Sequence, residues 1–281
     1  MAKRRCVSDR SIEKLNRWKK DINHIGYRPF LTVRDVNKIG RRHWIFCPHQ
    51  DREVELLSDG ESYSYIGLLW IEGRISVFEQ YALDIDETLD IAVEMGVVHP
   101  GNYKTNEAYI MTTDFVLKLR SDGRIKSVAY TFKYNNQIYK VDTDGVKRRI
   151  NPRTWEKFEI ERRYWAARGI EYRVVTELDF TKEQAWNLRF CESSANLAVE
   201  PVMLANFVSA FYRHWQSKCN RSLNELCDLT ALSCNISASL SMAYFKYAVL
   251  YGVIKLAPSF CVREFRRIDI CGSLQNNLEV R

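Results

Sequence analysis

Apolar and polar positions alternate with a period of two along two stretches, residues 109–121 and 124–134, separated by Asp122-Gly123. An Asp-Gly pair tolerates the two positive φ angles of a type I′ turn, so the pattern predicts a β-hairpin. With those two residues as the loop, Ser121 faces Arg124, and counting outward pairs Asp114 with Thr131. Lys133 then becomes a diagonal neighbour of Asp114, within about 8 Å. Phe115, Leu117 and Leu119 share one face with Val128, Tyr130 and Phe132, and the opposite face carries Asp114 and Lys133.

The same reading places helices and further strands around this hairpin. Leu56-Leu-Ser-Asp-Gly-Glu61 predicts a helix start with Ser58 as N-cap and Glu61 three residues on, a capping box. The helix runs through Tyr65, Ile66 and Leu69 to about Trp70. Its four-residue spacing turns Glu61 toward the body of the domain. Glu61 is therefore either a cap or part of a site. Residues 74–78 predict a strand, and 86–94 a helix ended by Gly96. Asn151-Pro152 opens a helix over 153–168 that stops at Gly169, and 170–176 returns as a strand. This order gives an α/β domain with a mixed sheet and flanking helices.

From Glu177 the pattern is mostly helical. Helices are expected from Thr181 to about Cys191, from Pro201 to Gln216, from a capping box at Ser222–Glu225, and from Ser237 or Ser239 to Gly252. Two strands, 253–256 and 261–270, would follow. A short helix, a turn, a longer helix and a small hairpin resemble a winged-helix module, which binds DNA or protein. At the other end, Ser11–Trp18 forms a short helix in a basic segment, either a DNA- or partner-binding arm or a solvated terminal helix. The expected organisation is an arm over 1–25, an α/β domain over 26–176 and a winged-helix-like domain over 177–281.

Length and charge narrow the chemistry. A chain of 281 residues with 46% hydrophobic positions is long enough for one large or two ordinary domains. Its formal net charge of +7 favours a polyanionic partner, nucleic acid first. No apolar run is long enough to span a bilayer, and the basic start lacks the apolar stretch of a signal peptide, so no membrane role is expected. The eight cysteines form no Cys-x-x-Cys and the five histidines form no ligand pair. Free thiols in a reducing cytoplasm are expected. In that setting, aspartate and lysine on adjacent strands suit metal-dependent phosphodiester hydrolysis. The carboxylate fixes a divalent cation, and the lysine steadies the attacking water or the developing charge. An edge hairpin with a surface ion pair would place the same two residues together.

A series of motifs separates these readings. Leu31-Thr-Val-Arg-Asp-Val36, Gly40-Arg-Arg-His43, Leu56–Glu61 and Phe78-Glu-Gln-Tyr-Ala-Leu83 come first. Ile91-Ala, Gly96 with His99-Pro100, Met111-Thr-Thr-Asp-Phe115 and Phe158–Trp165 follow in order. Over residues 30–176 the chain resembles the TnsA family, the endonuclease subunits of Tn7-like heteromeric cut-and-paste transposons. The resemblance implies a restriction-endonuclease-like catalytic domain followed by a winged-helix-like one. It also implies Mg²⁺-dependent nicking at the 5′ ends of the transposon, with one or two ions. Partners would be the transposon-end DNA, a DDE-type transposase subunit and an AAA+ ATPase regulator. Position by position, Glu61, Asp114 and Lys133 match the family's catalytic glutamate, aspartate and lysine. Asp114 and Glu61 would hold metal, Lys133 would orient water, and Thr131 and the Phe132 carbonyl would supply further oxygens. Two departures stand out: Thr131 replaces a glutamine and Gly60 replaces a leucine. The first would weaken a second metal, and the second would weaken the first helical turn. A non-enzymatic assembly or DNA-binding subunit of the same complex is the alternative.

Overall fold

The computed structural model describes residues 4–36, 40–217 and 220–271. The chain forms two compact units, Met1–Phe180 and Thr181–Arg281.

The first unit begins with α1 (Asp9–His24). Its apolar stripe buries Leu15 and Trp18 against Phe30, Ala82, Ile85, Leu89 and Ala108, and Trp18 Nε1 donates to the Arg28 carbonyl at 2.8 Å. The expected separate arm over 1–25 is thus corrected. The helix belongs to the first unit, because an indole with both its surface and its N–H satisfied by the domain is part of its core. β1 (His43–Cys47) and β2 (Arg52–Leu56) pair as an antiparallel ribbon. α2 (Asp59–Leu69) starts where the capping pattern places it, with Ser58 Oγ accepting the Glu61 N–H at 3.1 Å. β3 (Arg74–Ala82) runs four residues beyond the expected strand, and α3 (Ile85–Glu94) is capped by Asp84.

β4 (Thr112–Ser121) and β5 (Arg124–Phe132) form the expected hairpin, with Ser121 opposite Arg124 and Phe115 opposite Tyr130. Asp122 and Gly123 both take positive φ, 53° and 70°, as a type I′ turn requires. α4 (Asn135–Ile138) and a small hairpin of β6 (Tyr139–Val141) and β7 (Lys147–Arg149) follow, an insertion the periodicity did not reveal. α5 (Pro152–Ala166) leads to β8 (Glu171–Val175), which lies parallel to β5. The central sheet has the order β3-β4-β5-β8.

Both faces of this sheet are covered. On one, Phe115, Leu117, Tyr130 and Phe132 pack against Tyr65, Leu68 and Leu69 of α2 and against Val54 and Leu56 of β2. On the other, Val116 and Ala129 pack against Ile160, Tyr164 and Trp165 of α5 and Ala92 of α3. The apolar-versus-polar contrast expected of the hairpin therefore holds only near its open end. The domain boundary also moves, from 177 to 181. Phe180 lies so close over Gly67 that a Cβ there would overlap its ring, and Asp179 Oδ2 accepts the Thr176 N–H at 2.8 Å.

The second unit holds α6 (Lys182–Cys191), a short 3-10 turn, α7 (Pro201–Ser217), α8 (Leu223–Cys234) and α9 (Ala238–Leu250). Capping boxes start α6 at Thr181/Gln184 and α8 at Ser222/Glu225, and Asn235 at φ 53° turns the chain between α8 and α9. The strands expected over 253–256 and 261–270 are not formed among the described residues. Isolated bridges Leu256–Ile270 and Ser222–Arg267 take their place, because turns closed by Phe260 N–H to Ala257 and Arg266 N–H to Arg263 break the extended run. The seven cysteines among the described residues are free thiols, and Cys219 lies outside them. No helix among the described residues is long and apolar enough to cross a membrane.

Candidate active site

The site forms where the strict alternation of β3 and β4 fails. Val77 of β3 packs on the α2 side, and Phe78, Tyr81 and Leu83 pack on the α5 side. Between them Gln80 adopts a left-handed φ of 48°, which an L-residue takes at a cost of order 1 kcal/mol. That local turn frees the Gln80 amide to reach both layers. Its Nε2 lies 3.2 Å from Glu61 Oε2 and 3.4 Å from Asp114 Oδ1, and its Oε1 accepts from Thr112 Oγ1 at 3.0 Å. On β4 the neighbour of Asp114 in sequence, Thr113, bonds residues of α5. The ladder to β5 ends at Phe115–Tyr130. Beyond it the Phe132 N–H donates to Asp114 Oδ2 at 2.8 Å, so a side chain takes up the amide of the parting strands.

Glu61 and Asp114 are thus brought together although they come from different elements. Glu61 is 8% exposed. Its carboxylate accepts the Leu57 N–H at 2.9 Å and the Ser58 hydroxyl at 3.1 Å besides the Gln80 amide. One side chain thus both binds groups at the start of α2 and shares the Gln80 amide with Asp114. Burial, and then the neighbouring Asp114 charge, push the Glu61 carboxyl well above the ordinary glutamate range. Burial also raises Asp114, against the opposing pull of the Phe132 amide, the Lys133 ammonium and Gln80. Lys133 follows β5, anchored by its N–H on the Val175 carbonyl at 2.9 Å, and its charge is felt at Asp114. All three sequence-chosen catalytic candidates are therefore within electrostatic range of one carboxylate.

Thr131 and Phe132 are placed differently. The Thr131 hydroxyl donates to Glu161 Oε2 at 2.8 Å, on the α5 side. The Phe132 ring lies against Gly60, and its backbone N–H holds Asp114. Glu161 itself, 5% exposed, was not singled out from the sequence. It also accepts from Thr113 Oγ1 at 2.8 Å, and Thr113 in turn accepts from Trp165 Nε1 at 2.9 Å. Burial and the nearby Asp114 charge raise its carboxyl to about 8. The signal for it was a glutamate three residues from Phe158 and Tyr164 and four from Trp165, inside the apolar stripe of a helix. Gln80 had no such signal, because nothing local marks a glutamine for positive φ.

The donor set suits a hard, oxygen-ligated divalent cation. Two carboxylates lie on either side of one amide at long hydrogen-bond distances, and each is disfavoured as an anion where it sits. A bound cation relieves that arrangement. Among the described residues no three acidic, histidine or cysteine side chains group as a metal cluster. Glu61 and Asp114 would therefore need backbone oxygens or water to complete a shell.

Residues 75–177 match a family model described as TnsA-like endonuclease N terminal. Over 253 residues the chain is 26% identical to the transposon Tn7 transposition protein TnsA of Escherichia coli, covering 90% of this chain and 87% of that protein. The family match takes in Gln80, Asp114, Lys133 and Glu161, while Glu61 lies before it and within the sheet-covering helix described above. The local match and the chain-long similarity agree: residues 75–177 resemble a TnsA-like endonuclease domain, and the chain as a whole is similar to TnsA over most of its length.

Proposed function

We propose that the chain is the DNA endonuclease subunit of a heteromeric transposase, cutting the 5′ ends of the transposon with Mg²⁺ in a bacterial cytoplasm. The observation that carries this reading is the shared Gln80 amide between Glu61 and Asp114, with the Lys133 charge acting on Asp114. Glu61 and Asp114 would hold the cation, which when bound would polarise the scissile phosphate and offset its developing charge. Gln80 sets the spacing of the two carboxylates through its single Nε2. The Phe132 N–H fixes the Asp114 plane by its bond to Oδ2. Lys133 orients water and offsets charge from its Nζ, carried on a backbone whose N–H is held by the Val175 carbonyl. The Thr131 hydroxyl is engaged by Glu161, which favours one ion over two.

The second unit carries α8, a short turn and α9, followed by two isolated bridges. We take this arrangement as a winged-helix-like module; in the proposed complex that module contacts the AAA+ ATPase regulator, and a DDE-type transposase acts at the 3′ ends. The test is strand-resolved cleavage of an end-labelled transposon end by the complete complex, comparing Asp114→Ala with the parent. Loss of the 5′-strand cut alone, with assembly intact, is expected. An Asp114→Ala complex that still cuts that strand overturns the nuclease reading in favour of a non-enzymatic assembly subunit.

A further inference from the structure

The β6–β7 hairpin lies between Lys133 and α5 in the chain, and the site above makes no use of it. Four of its six strand residues are basic: Lys140, Lys147, Arg148 and Arg149, all exposed. The pairing Tyr139–Arg149, Lys140–Arg148 and Val141–Lys147 puts Lys147 and Arg149 on one face and Lys140 and Arg148 on the other. A ribbon with cations on both faces has no apolar side to bury against a protein core. Its loop carries two aspartates, Asp142 and Asp144, and the first is already used. Asp142 Oδ1 accepts the N–H groups of Asp144 and Val146 at 3.1 and 2.8 Å, and Oδ2 pairs with Arg148 at 2.7 Å. This closes the tip, and four cations against two aspartates over 139–149 leave the hairpin with a net positive charge.

The root of the ribbon is fixed. Ile150 N–H donates to the carbonyl of the buried Ile138 at 2.9 Å, and the rings of Tyr139 and Trp155 meet at 5.5 Å. Lys147 lies 3.8 Å over the Tyr139 ring and Arg149 lies 4.1 Å over Trp155, so aromatic faces hold these cations in place. From this root Arg153, Lys157 and Glu161 follow at four-residue spacing along one face of α5. Lys157 feels the charges of both Arg153 and Lys133, and Lys133 acts on Asp114. Positive charge thus runs from the ribbon to the carboxylate pair. Like charges held this close are stabilised by a polyanion lying along them.

We propose that the β6–β7 hairpin is a DNA-gripping finger, in which Lys140, Lys147 and Arg149 neutralise phosphates of the duplex alongside the strand cut at Asp114. The inference rests on the nuclease reading for its location beside a cut. Cations that bind phosphates fix position on the duplex without reading sequence, so its contribution is to affinity and register.

The experiment measures binding of the full-length protein to a transposon-end duplex over a range of salt concentrations. The parent is compared with Lys140→Gln/Lys147→Gln/Arg149→Gln and with a charge-keeping Lys140→Arg/Lys147→Arg/Arg149→Lys variant. Loss of three phosphate contacts lowers the slope of log affinity against log salt by about 3 and weakens binding by roughly 100-fold at moderate salt. The charge-keeping variant restores both. Cleavage by the complete complex falls in parallel and recovers at higher duplex concentration. Unchanged affinity and slope in the neutral variant overturns the proposal. So does intact DNA affinity with failed assembly, which would make the hairpin a protein contact. Asp114→Ala run beside it separates the two readings: it should bind DNA normally and not cut, and if it cuts, the nuclease reading fails while the salt slopes still decide the finger.

Discussion

Gly60→Ala tests the packing that joins α2 to the site. Gly60 is the second residue of α2, and helix propensity alone would make alanine there more stable by up to about 1 kcal/mol. The structure gives the opposite sign. A Cβ at this position falls inside the contact envelope of Phe132 Cε1 and Cζ and 2.9 Å from Cδ1. The ring would have to withdraw by about 1.5 Å to regain the ~3.5–4.0 Å of normal carbon contact. Phe132 is 6% exposed, packed with Tyr65, Leu68 and Val175 and edge-on to Tyr134 at 5.0 Å, so it has little room to retreat. Overpacking of this kind costs about 1–3 kcal/mol, which after the full propensity gain leaves a net loss of up to about 2 kcal/mol in urea unfolding. The Phe132 N–H is also the group that holds Asp114 Oδ2. Displacing it by even a fraction of an ångström should slow strand cleavage by roughly 10- to 100-fold at temperatures where both proteins are folded. In a double-mutant cycle, Phe132→Leu should recover part of the stability loss, with a coupling of about 1 kcal/mol. A Gly60→Ala protein that is more stable than the parent and cuts at the parent rate would refute the packing argument.

Arg52→Ala removes the partner of Glu79, a carboxylate with 0% exposure bonded by Arg52 at 2.7 and 2.6 Å. Stranding a buried charge should cost about 3–5 kcal/mol in urea unfolding, and a loss below about 1 kcal/mol would show that the pair is not buried as described. His99, 2% exposed, has its Nδ1 against the Pro100 carbonyl at 2.9 Å and its Nε2 buried with no partner among the described residues. Burial, and then the Arg153 and Arg5 charges, lower its pKa from 6.5 to about 4. Between those values the unfolded chain binds a proton that the folded one does not, so stability falls as pH drops from 6.5 toward 4. The loss is at most about 3 kcal/mol. A stability–pH profile should therefore flatten in His99→Asn over that window, and identical slopes in the two proteins would count against it.

The hairpin and its register were legible because one dipeptide, Asp122-Gly123, fixes the turn and the period of two does the rest. The start of α2 was legible for a similar reason, as Ser58 and Glu61 satisfy each other within one turn. The β6–β7 insertion was not, because strands of three residues dominated by lysine and arginine carry no apolar period to detect. The role of α1 was read from its charges, and only the packing of Leu15 and Trp18 showed which domain it belongs to. The second unit's expected strands failed because β-type side chains over 261–270 were outvoted by turns at 257–260 and 263–266. Local propensity loses where tertiary hydrogen bonds disagree with it.

The two departures from the pattern that the TnsA resemblance implies look like losses in sequence and are matched by neighbours in space. Glycine in place of leucine at 60 weakens a helical turn, yet it makes room for the Phe132 ring, whose amide holds Asp114. Threonine in place of glutamine at 131 removes a long amide, and the shorter hydroxyl donates instead to Glu161, a buried carboxyl that already takes a bond from Thr113. Meanwhile an amide does stand at the carboxylate pair, supplied from β3 by Gln80 in a strained conformation. Strain of this sort persists only where surrounding contacts over-determine it. Here Thr112, Glu61 and Asp114 all bond the one side chain. The site is therefore set by the three-way contact among α2, β3 and β4, and the substituted positions alter what surrounds it without unmaking it.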